Sequence, residues 1–451
     1  MKLPHFKMRL LLLRCFFLIP VFLMPLSLLF AQNTLSVDEA IQIALENNYG
    51  IKIARISADI ASTNKTLGNS GFLPSISASG TRTERFNETI ETETEVSSSL
   101  IEDATTTITN ANLSLNWTIF DGLQMFATWD RLGEIEKRSR EELRLEMEST
   151  VSDIILLYYN IVSLNDQLTI LENSVEVSLE RLEIVETELD LGSSSKFDLL
   201  QAQSDLNADR AAVLREANRL TEAKILLNEV MGRDATTEIE VADPIEINRL
   251  LEEQSLMQNV LSENTELTLA RSEETIAEQE VREIRGERYP ELVLNSGYSF
   301  NRNESTGGFT TFFETSGLSV GLTARINLFN GFNTNRRINV AKLNVKSAQY
   351  RREEIRQQLL SNFNVLYQTY LNSINLVDLE EENLENAEET LEIALERFRL
   401  GTISAIEFRE SQRTFLLAES RLIQAKFEAK QSETELLRLS GRLQDLLIET
   451  L

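Results

Sequence analysis

Two stretches decide the fold. One reads Leu-Gly-Ser-Ser-Ser-Lys-Phe-Asp-Leu-Leu-Gln-Ala-Gln at 191–203, and the other reads Leu-Gly-Thr-Ile-Ser-Ala-Ile-Glu-Phe-Arg-Glu-Ser-Gln at 400–412. In each, a glycine that can adopt the left-handed conformation ends one helix. A serine and, three residues later, an acid match the capping box that begins another helix. Each stretch therefore predicts a tight turn between antiparallel helices; the turn residues are Gly192, Ser195, Asp198, Gly401, Ser404 and Glu407.

The turns belong to an internal duplication. They lie 209 residues apart, and Phe120-Asp-Gly returns at the same distance as Phe329-Asn-Gly. Pro74 returns as Pro290, 216 residues on, so the first copy holds seven extra residues that we assign to a loop. A unit of this size is a duplicated domain rather than a solenoid repeat. We predict a first repeat over 32–235, a linker over 236–249, a second repeat over 250–445 and a tail over 446–451.

Each copy has the same predicted elements. The first has a helix over 37–70 that ends before Pro74, strands over 75–86 and 113–120, a helix over 123–191 and a return helix to 232. The second has a helix over 250–286, strands over 291–302 and 317–329, and helices over 332–400 and 407–440. The polar stretches 84–110 and 301–316 are predicted to be loops. Seventy helical residues span roughly 105 Å, so we expect an elongated, mostly α-helical α+β protein.

The long helices carry a seven-residue apolar repeat, which is typical of coiled-coil packing. An ordinary globular core face is the alternative, and the length of the repeat favours the coiled coil. The positions are Leu168, Val175, Leu182 and Leu189 in the first copy, and Val377, Leu384, Leu391 and Phe398 in the second.

The strands alternate apolar and polar residues, as in the run from Leu318 to Leu328. This alternation fits an outer-membrane β-strand with lipid on one face and water on the other, and it fits a half-buried soluble sheet equally well. Four strands cannot close a membrane barrel, and open sheet edges are not tolerated in lipid. If the strands span a membrane, several chains must therefore share one transmembrane β-barrel.

The first 31 residues favour the membrane interpretation. Lys2, Lys7 and Arg9 precede a nearly continuous apolar run up to Phe30, followed by Ala31-Gln32 as a cleavage point. This pattern predicts a secretory signal peptide over 1–31; an N-terminal membrane anchor is the alternative. No later run approaches 18 consecutive apolar residues, so no transmembrane helix is expected to follow.

Composition limits the chemistry. The net charge is −27, which argues against binding to nucleic acid. The single His and the single Cys both lie within the first 15 residues, so the chain after the predicted cleavage has neither. Cys/His metal sites, a Ser-His-Asp triad and a cysteine nucleophile are thereby excluded from it. Composition leaves carboxylate chemistry and an oxygen-ligand metal site open, but we predict no catalytic residues, no metal site and no cofactor.

The duplication, the Phe-x-Gly junctions and the paired turns resemble the TolC-like outer-membrane efflux protein family over essentially the whole mature chain. The resemblance implies a homotrimer whose twelve strands form a barrel in the outer membrane of a Gram-negative bacterium. It also implies a helical tunnel through the periplasm, and a tripartite efflux or type I secretion system with a periplasmic adaptor (membrane fusion protein) and an inner-membrane pump.

The resemblance assigns roles to both turns. They would lie at the periplasmic tip and dock the adaptor, with Phe197 and Ile406 as apolar contacts. Glu407 and Glu410 would form an acidic ring at the tunnel entrance. Helix capping alone is the other interpretation of these serines and acids.

Two other functions compete with an export channel. A periplasmic coiled-coil adaptor without a pore would also have long hairpins, but it would lack two copies of paired amphipathic strands. A secreted carboxylate enzyme would need two paired acids on a loop scaffold, which the sequence does not offer. The exported substrate and the identity of the pump cannot be derived from the chain.

Overall fold

The computed structural model describes residues 34–93, 98–241, 243–307 and 310–443. The predicted signal peptide and the predicted tail lie outside these residues. The chain runs twice through the order helix, helix, strand, strand, long helix, return helix. The elements of the first copy are α1 Val37–Asn47, α2 Tyr49–Asn64, β1 Ser75–Glu93, β2 Ser98–Phe120, α3 Gln124–Asp190 and α4 Lys196–Val230. Those of the second are α5 Glu253–Glu263, α6 Thr265–Gly286, β3 Glu291–Ser305, β4 Phe312–Arg325, α7 Asn333–Arg399 and α8 Ala405–Leu439.

The prediction of one continuous helix at the start of each copy is wrong. Asn48 has ψ of 131° and Asn264 has ψ of 125°, so the backbone leaves the helical region at these two positions. Each Asn side chain then caps the following helix, with its oxygen accepting the Ile51 or Leu267 N–H. Each also donates to the last turn of a return helix, at the Val230 or Leu439 carbonyl. The break is therefore fixed by a tertiary contact that helical periodicity does not contain.

The long helices agree closely with the prediction. α3 and α7 have 67 residues each, and α4 and α8 have 35 residues each. On α7, Phe363, Tyr370, Val377 and Phe398 lie on one heptad series and are buried. The shorter helices pack along the long ones: α1, α2 and α4 against α3, and α5 and α8 against α7. The elongated body follows from this side-by-side arrangement.

The main apolar core lies near the middle of α3. Val151, Ile154 and Ile161 are fully buried there against α1 and α4. The Tyr158 hydroxyl lies 2.8 Å from both the Leu35 carbonyl oxygen and Asp243 Oδ2, which ties the linker to the helices. Among the described residues, α3 is the one helix long and apolar enough by composition to cross a membrane, with mean hydropathy 1.3 over 18 residues. Its apolar side chains build this core.

The strands form one antiparallel sheet in the order β1-β2-β3-β4, with β1 and β4 at the edges. The prediction that 84–110 is a loop is wrong, since β1 continues to Glu93 and β2 begins at Ser98. The predicted loop 301–316 likewise contains the end of β3 and the start of β4. Thr is frequent in these polar stretches and has high β-propensity, and cross-strand pairing extends the ladder through them.

The Phe-x-Gly motifs form the strand-to-helix junctions. Gly122 and Leu123 have φ of 76° and 71°, and Gly331 and Phe332 have φ of 66° and 62°. Two consecutive left-handed residues turn the chain sharply from the sheet into the long helix. At Gly122, a Cβ would lie 2.2 Å from the Gly286 carbonyl oxygen, so the junction also requires a residue without a side chain.

We expect Asn264→Ala to lower the free energy of unfolding by about 2 kcal/mol. About 1 kcal/mol comes from the lost cap of α6 and about 1 kcal/mol from the buried Leu439 carbonyl left without its donor. Asn264→Ser keeps a capping oxygen and is expected to lose about half as much. Guanidinium unfolding in detergent measures both. Asn386→Ala, on the exposed surface of α7, is the control, and equal loss in the control would contradict the assignment.

Candidate docking site at the hairpin tips

The turn between α3 and α4 has the geometry that its sequence predicts. Gly192 has φ of 78°, and the Ser193 N–H donates to the Glu188 carbonyl at 2.8 Å, which closes the end of α3. Ser195 then caps α4: its hydroxyl oxygen accepts the Asp198 N–H at 3.2 Å, and Asp198 Oδ2 accepts the Ser195 N–H at 3.0 Å. Both halves of the predicted capping box are present.

The turn between α7 and α8 repeats this arrangement. Gly401 has φ of 69°, and the Thr402 N–H donates to the Arg397 carbonyl at 2.9 Å. The Ser404 hydroxyl oxygen accepts the Glu407 N–H at 3.3 Å, while Glu407 Oε2 accepts the Ser404 N–H at 2.8 Å. Two rigid turns of equal geometry therefore end the two helical hairpins.

The capping acids are held in the charged form. Hydrogen bonds from the Ser195 hydroxyl and backbone lower the pKa of Asp198, and those from the Ser404 backbone and hydroxyl lower the pKa of Glu407. A carboxyl whose pKa is lower in the folded state stabilises it above the unfolded pKa, and the contribution is lost as the pH falls through the folded value. Both caps are thus intact at neutral pH.

Phe197 and Ile406, predicted as contact residues, are both strongly exposed, at 69% and 72%. They line one groove of about 220 Å³ between the starts of α4 and α8. The structure therefore brings the two turns together, although they are 209 residues apart in sequence. The other lining residues are Arg181, Asp198, Gln201, Ala202, Asp205, Ala405, Arg409 and Glu410.

Three of the lining residues, Arg181, Asp205 and Arg409, belong to an ionic layer that the sequence motifs did not predict. The Arg181 side chain is 2% exposed and pairs with Asp205 at 2.6 Å. Arg409 Nη1 and Nη2 donate to Asp209 at 2.8 and 2.7 Å, which joins α8 to α4. These acids lie four residues apart on α4, a spacing that places them on one helix face and could have indicated a shared partner surface.

A polar and an aromatic contact complete the layer. Gln412 Nε2 lies 3.2 Å from both the carbonyl and the hydroxyl oxygen of Ser174, and the Ser178 hydroxyl donates to Asp209 at 2.5 Å. Phe398 and Phe408 stack with centroids 5.0 Å apart. Gln412–Ser174, together with Arg409–Asp209, joins the two hairpins near their tips, whereas the Ser178–Asp209 bond and the Phe398–Phe408 stack each lie within one hairpin.

The two acids of the predicted ring differ in their contacts. Glu407 is exposed and uses Oε2 in its capping box, as described above. Glu410 is also exposed, lines the groove, and has Arg413 as an ion-pair partner at the limiting distance of 4.0 Å. Glu410 is therefore the acid whose charge is not committed to a helix cap.

The sequence pattern of the outer membrane efflux protein family matches residues 40–233 and 256–442. The chain belongs to the outer membrane efflux protein family. It is 20% identical over 326 residues to the outer membrane protein TolC of Vibrio cholerae, covering 71% of this chain and 74% of that protein. It is 22% identical over 414 residues to the pyoverdine export outer membrane protein OpmQ of Pseudomonas aeruginosa, covering 90% and 85%.

Solved structures share the fold. The CmeC outer membrane channel of Campylobacter jejuni superimposes with a TM-score of 0.75 at 16% identity, covering 92% of this chain and 89% of that chain. The MtrE outer membrane channel of Neisseria gonorrhoeae gives 0.72 at 13% identity, covering 90% and 89%. The predicted fold is thereby confirmed.

Membership of the outer membrane efflux protein family decides between the functions left open by the sequence. It confirms an outer-membrane efflux channel over a periplasmic adaptor, and it confirms that the protein is located in the outer membrane and extends into the periplasm. The amphipathic strands are accordingly membrane strands rather than a half-buried soluble sheet. The roles of the individual turn residues stay predictions.

Proposed function

We propose that three copies of this chain form one export channel, which carries substrate from an inner-membrane pump and a periplasmic adaptor to the outside without a chemical step of its own. The open edges of the four-stranded sheet carry the proposal. Unpaired backbone groups on β1 and β4 are costly in lipid, and closure requires eight strands or more. Three chains supply twelve strands if β4 of one chain pairs with β1 of the next.

The internal repeat supports a specific contact between chains. Within one chain, α6 packs between the two long helices α3 and α7, whereas its counterpart α2 packs against α3 and touches the short helix α1. The repeat relates α2 to α6 and α3 to α7. The contact of α2 with α3 therefore corresponds to the contact of α6 with α7, and among the described residues α2 lacks a counterpart of the contact that α6 makes with α3. The equivalent neighbour for α2 is α7 of the next chain.

Side-chain exposure agrees with this contact. On α2, Tyr49, Ile53, Ile56 and Ile60 form an apolar stripe with exposures from 56% to 72%. Their counterparts on α6, which are Thr265, Leu269, Ser272 and Ile276, are buried or half-buried. The apolar stripe is thus accounted for if another helix covers it.

The register follows from the contacts of α6. Thr265 bonds Glu148, and Glu283 bonds Arg131. We apply the register of α6 against α3 to their counterparts, which are α2 of one chain and α7 of the next. This register brings Ile56 opposite Tyr350 of the next chain. Both side chains are exposed, at 58% and 65%.

We expect a variant with Ile56→Cys and Tyr350→Cys to form disulfide-linked trimers. The chain beyond Cys15 has no native cysteine, so no other disulfide competes. Non-reducing electrophoresis after mild oxidation of outer membranes measures the species, and the ladder is expected to stop at three chains. Each single variant is a control and can give no more than a symmetric dimer. Absence of linked chains in the double variant would contradict the register.

The tips are proposed to dock the adaptor through Phe197 and Ile406. Exposed aromatic and aliphatic side chains on rigid turns lose little entropy when they are buried by a partner. Gly192, Ser195 and Asp198, with Gly401, Ser404 and Glu407, hold these two side chains in place rather than making the contact themselves.

We expect Phe197→Ser with Ile406→Ser to abolish export, because the adaptor loses its apolar contacts. The protein level and the trimer are expected to be unchanged, because both side chains are exposed and their loss opens no cavity. Site-specific cross-linking between the tip and adaptor, in the strain that supplies the partners, measures docking directly. Leu250→Ser is the control, since Leu250 is 90% exposed just before α5, far from the tips. Normal cross-linking in the double variant would show that docking uses another surface.

The acidic ring is proposed to involve chiefly Glu410. Three copies in one narrow opening raise the local negative potential, which favours cations. Glu407 adds charge, but its carboxylate also caps α8.

We expect Glu410→Gln to lower cation selectivity and weaken block by multivalent cations, with no loss of stability, since the cap is spared. Planar-bilayer conductance measures both effects. Glu238→Gln, an exposed acid in the linker, removes the same charge away from the tip. Equal selectivity in wild type and Glu410→Gln would mean that this acid faces away from the lumen.

A further inference from the structure

The strand register separates two faces of the sheet. Over three successive rows, one face is apolar and the opposite face is polar and uncharged. The apolar rows are Ile76–Leu115–Ser296–Val320, Ala78–Leu113–Tyr298–Leu318 and Trp117–Leu294–Leu322. Because apolar side chains face lipid in a membrane barrel, these rows mark the outer surface.

The same face carries charged side chains at the end of the sheet that lies away from the helices. Two rows beyond Tyr298, the row Arg82–Thr109–Arg302–Glu314 crosses all four strands, and the next row holds Glu84 and Glu304. Alternation places these side chains on the lipid side of the wall.

The height of this charged row matches a membrane boundary. Leu292 and Arg302 are ten residues apart on β3, which is roughly 34 Å along the strand and about 26 Å along the barrel axis at the usual tilt. The apolar band of such barrels is about 25 Å tall. The strands enter the periplasmic helices at the opposite end, so the charged row lies at the outer leaflet.

Carboxylates orient both guanidinium groups. Arg82 Nη2 donates to Glu84 at 3.0 Å. Arg302 Nε donates to Glu304 at 2.7 Å, Arg302 Nη1 lies 3.9 Å from Glu314, and the guanidinium covers the Phe312 ring at 5.3 Å. The side chains remain 68% and 45% exposed, so further N–H donors point away from the protein.

We propose that Arg82 and Arg302 bind the phosphate groups of phosphorylated glycolipid in the outer leaflet, giving six such arginines around a trimer. The planar guanidinium presents paired donors that match phosphate oxygens, and it is more weakly hydrated than an ammonium group. The five charged side chains sum to −1 per chain, so long-range attraction is weak. The acyl chains hold the phosphate at this height, however, and local concentration replaces long-range attraction.

The test uses the full-length trimer in detergent, with lipid A carrying two phosphates as the probe and the same lipid without phosphates as its control. Native mass spectrometry gives the bound lipid. We expect Arg82→Gln with Arg302→Gln to weaken binding of the phosphorylated lipid about tenfold, to the level of the dephosphorylated lipid. Arg85→Gln is the matched control, because Arg85 lies on the same strand but faces the lumen.

The double variant Arg82→Lys with Arg302→Lys is the control for misfolding, since it keeps the positive charges and loses only the paired donors. We expect it to bind the phosphorylated lipid with an affinity between those of wild type and the Gln double variant. Equal lipid binding by wild type and the Gln double variant would overturn the proposal. Equal weakening of binding in Arg85→Gln would also overturn it, as would equal binding of the phosphorylated and dephosphorylated lipids by wild type. Lipid binding depends on the membrane wall and not on docking, so an export assay of the same variants separates a failure of lipid binding from a failure of the proposed assembly.

Discussion

A sheet that faces lipid cannot leave backbone N–H and C=O groups unpaired along its edges, and most of this structure depends on that constraint. In the part of the chain that the structure describes, the sheet consists of β1 to β4, so its edge strands β1 and β4 need partners from outside the chain. The same requirement continues below the membrane, where α2 and α7 present apolar side chains at the two sides of the helical layer. In the proposed assembly, association of chains closes the sheet and covers these helices at the same time.

The internal duplication already provides a helix contact of the kind that association between chains requires. α6 lies between α3 and α7, so this contact exists once within every chain. In the proposed ring of three chains, nearly the same helix packing repeats at each boundary between chains. Where the two packings differ, the difference is chemical: the internal boundary carries ion pairs such as Arg131–Glu283, while the exposed stripe of α2 is aliphatic and aromatic.

The far end of the helices follows a different principle. The turns are stabilised locally by their own caps, so their shape does not depend on neighbouring hairpins. The hairpins are joined by Arg409–Asp209 and the Gln412–Ser174 contact, while Arg181–Asp205 ties α3 to α4 within the first hairpin; these contacts are polar and have specific geometry. Removing one partner of such a contact is costly because the other is left partly buried. Rigid tips on polar joints suit the proposed docking role, which requires a surface of fixed shape.

The sequence by itself determined the duplication, because the same motifs recur at a fixed distance. It also determined the long helices, the strand count and the capped turns, because each of these depends on residues close together in the chain. Gly192 and Ser195 illustrate this, since a positive φ and a capping hydroxyl act within three or four residues. Tertiary structure decided the breaks at Asn48 and Asn264, the extension of β1 and β2 through a polar segment, and the ionic layer under the tips. These features are fixed by partners far away in sequence, such as Leu439 for Asn264 and Asp209 for Arg409, and no local pattern specifies which distant side chain comes within hydrogen-bonding distance.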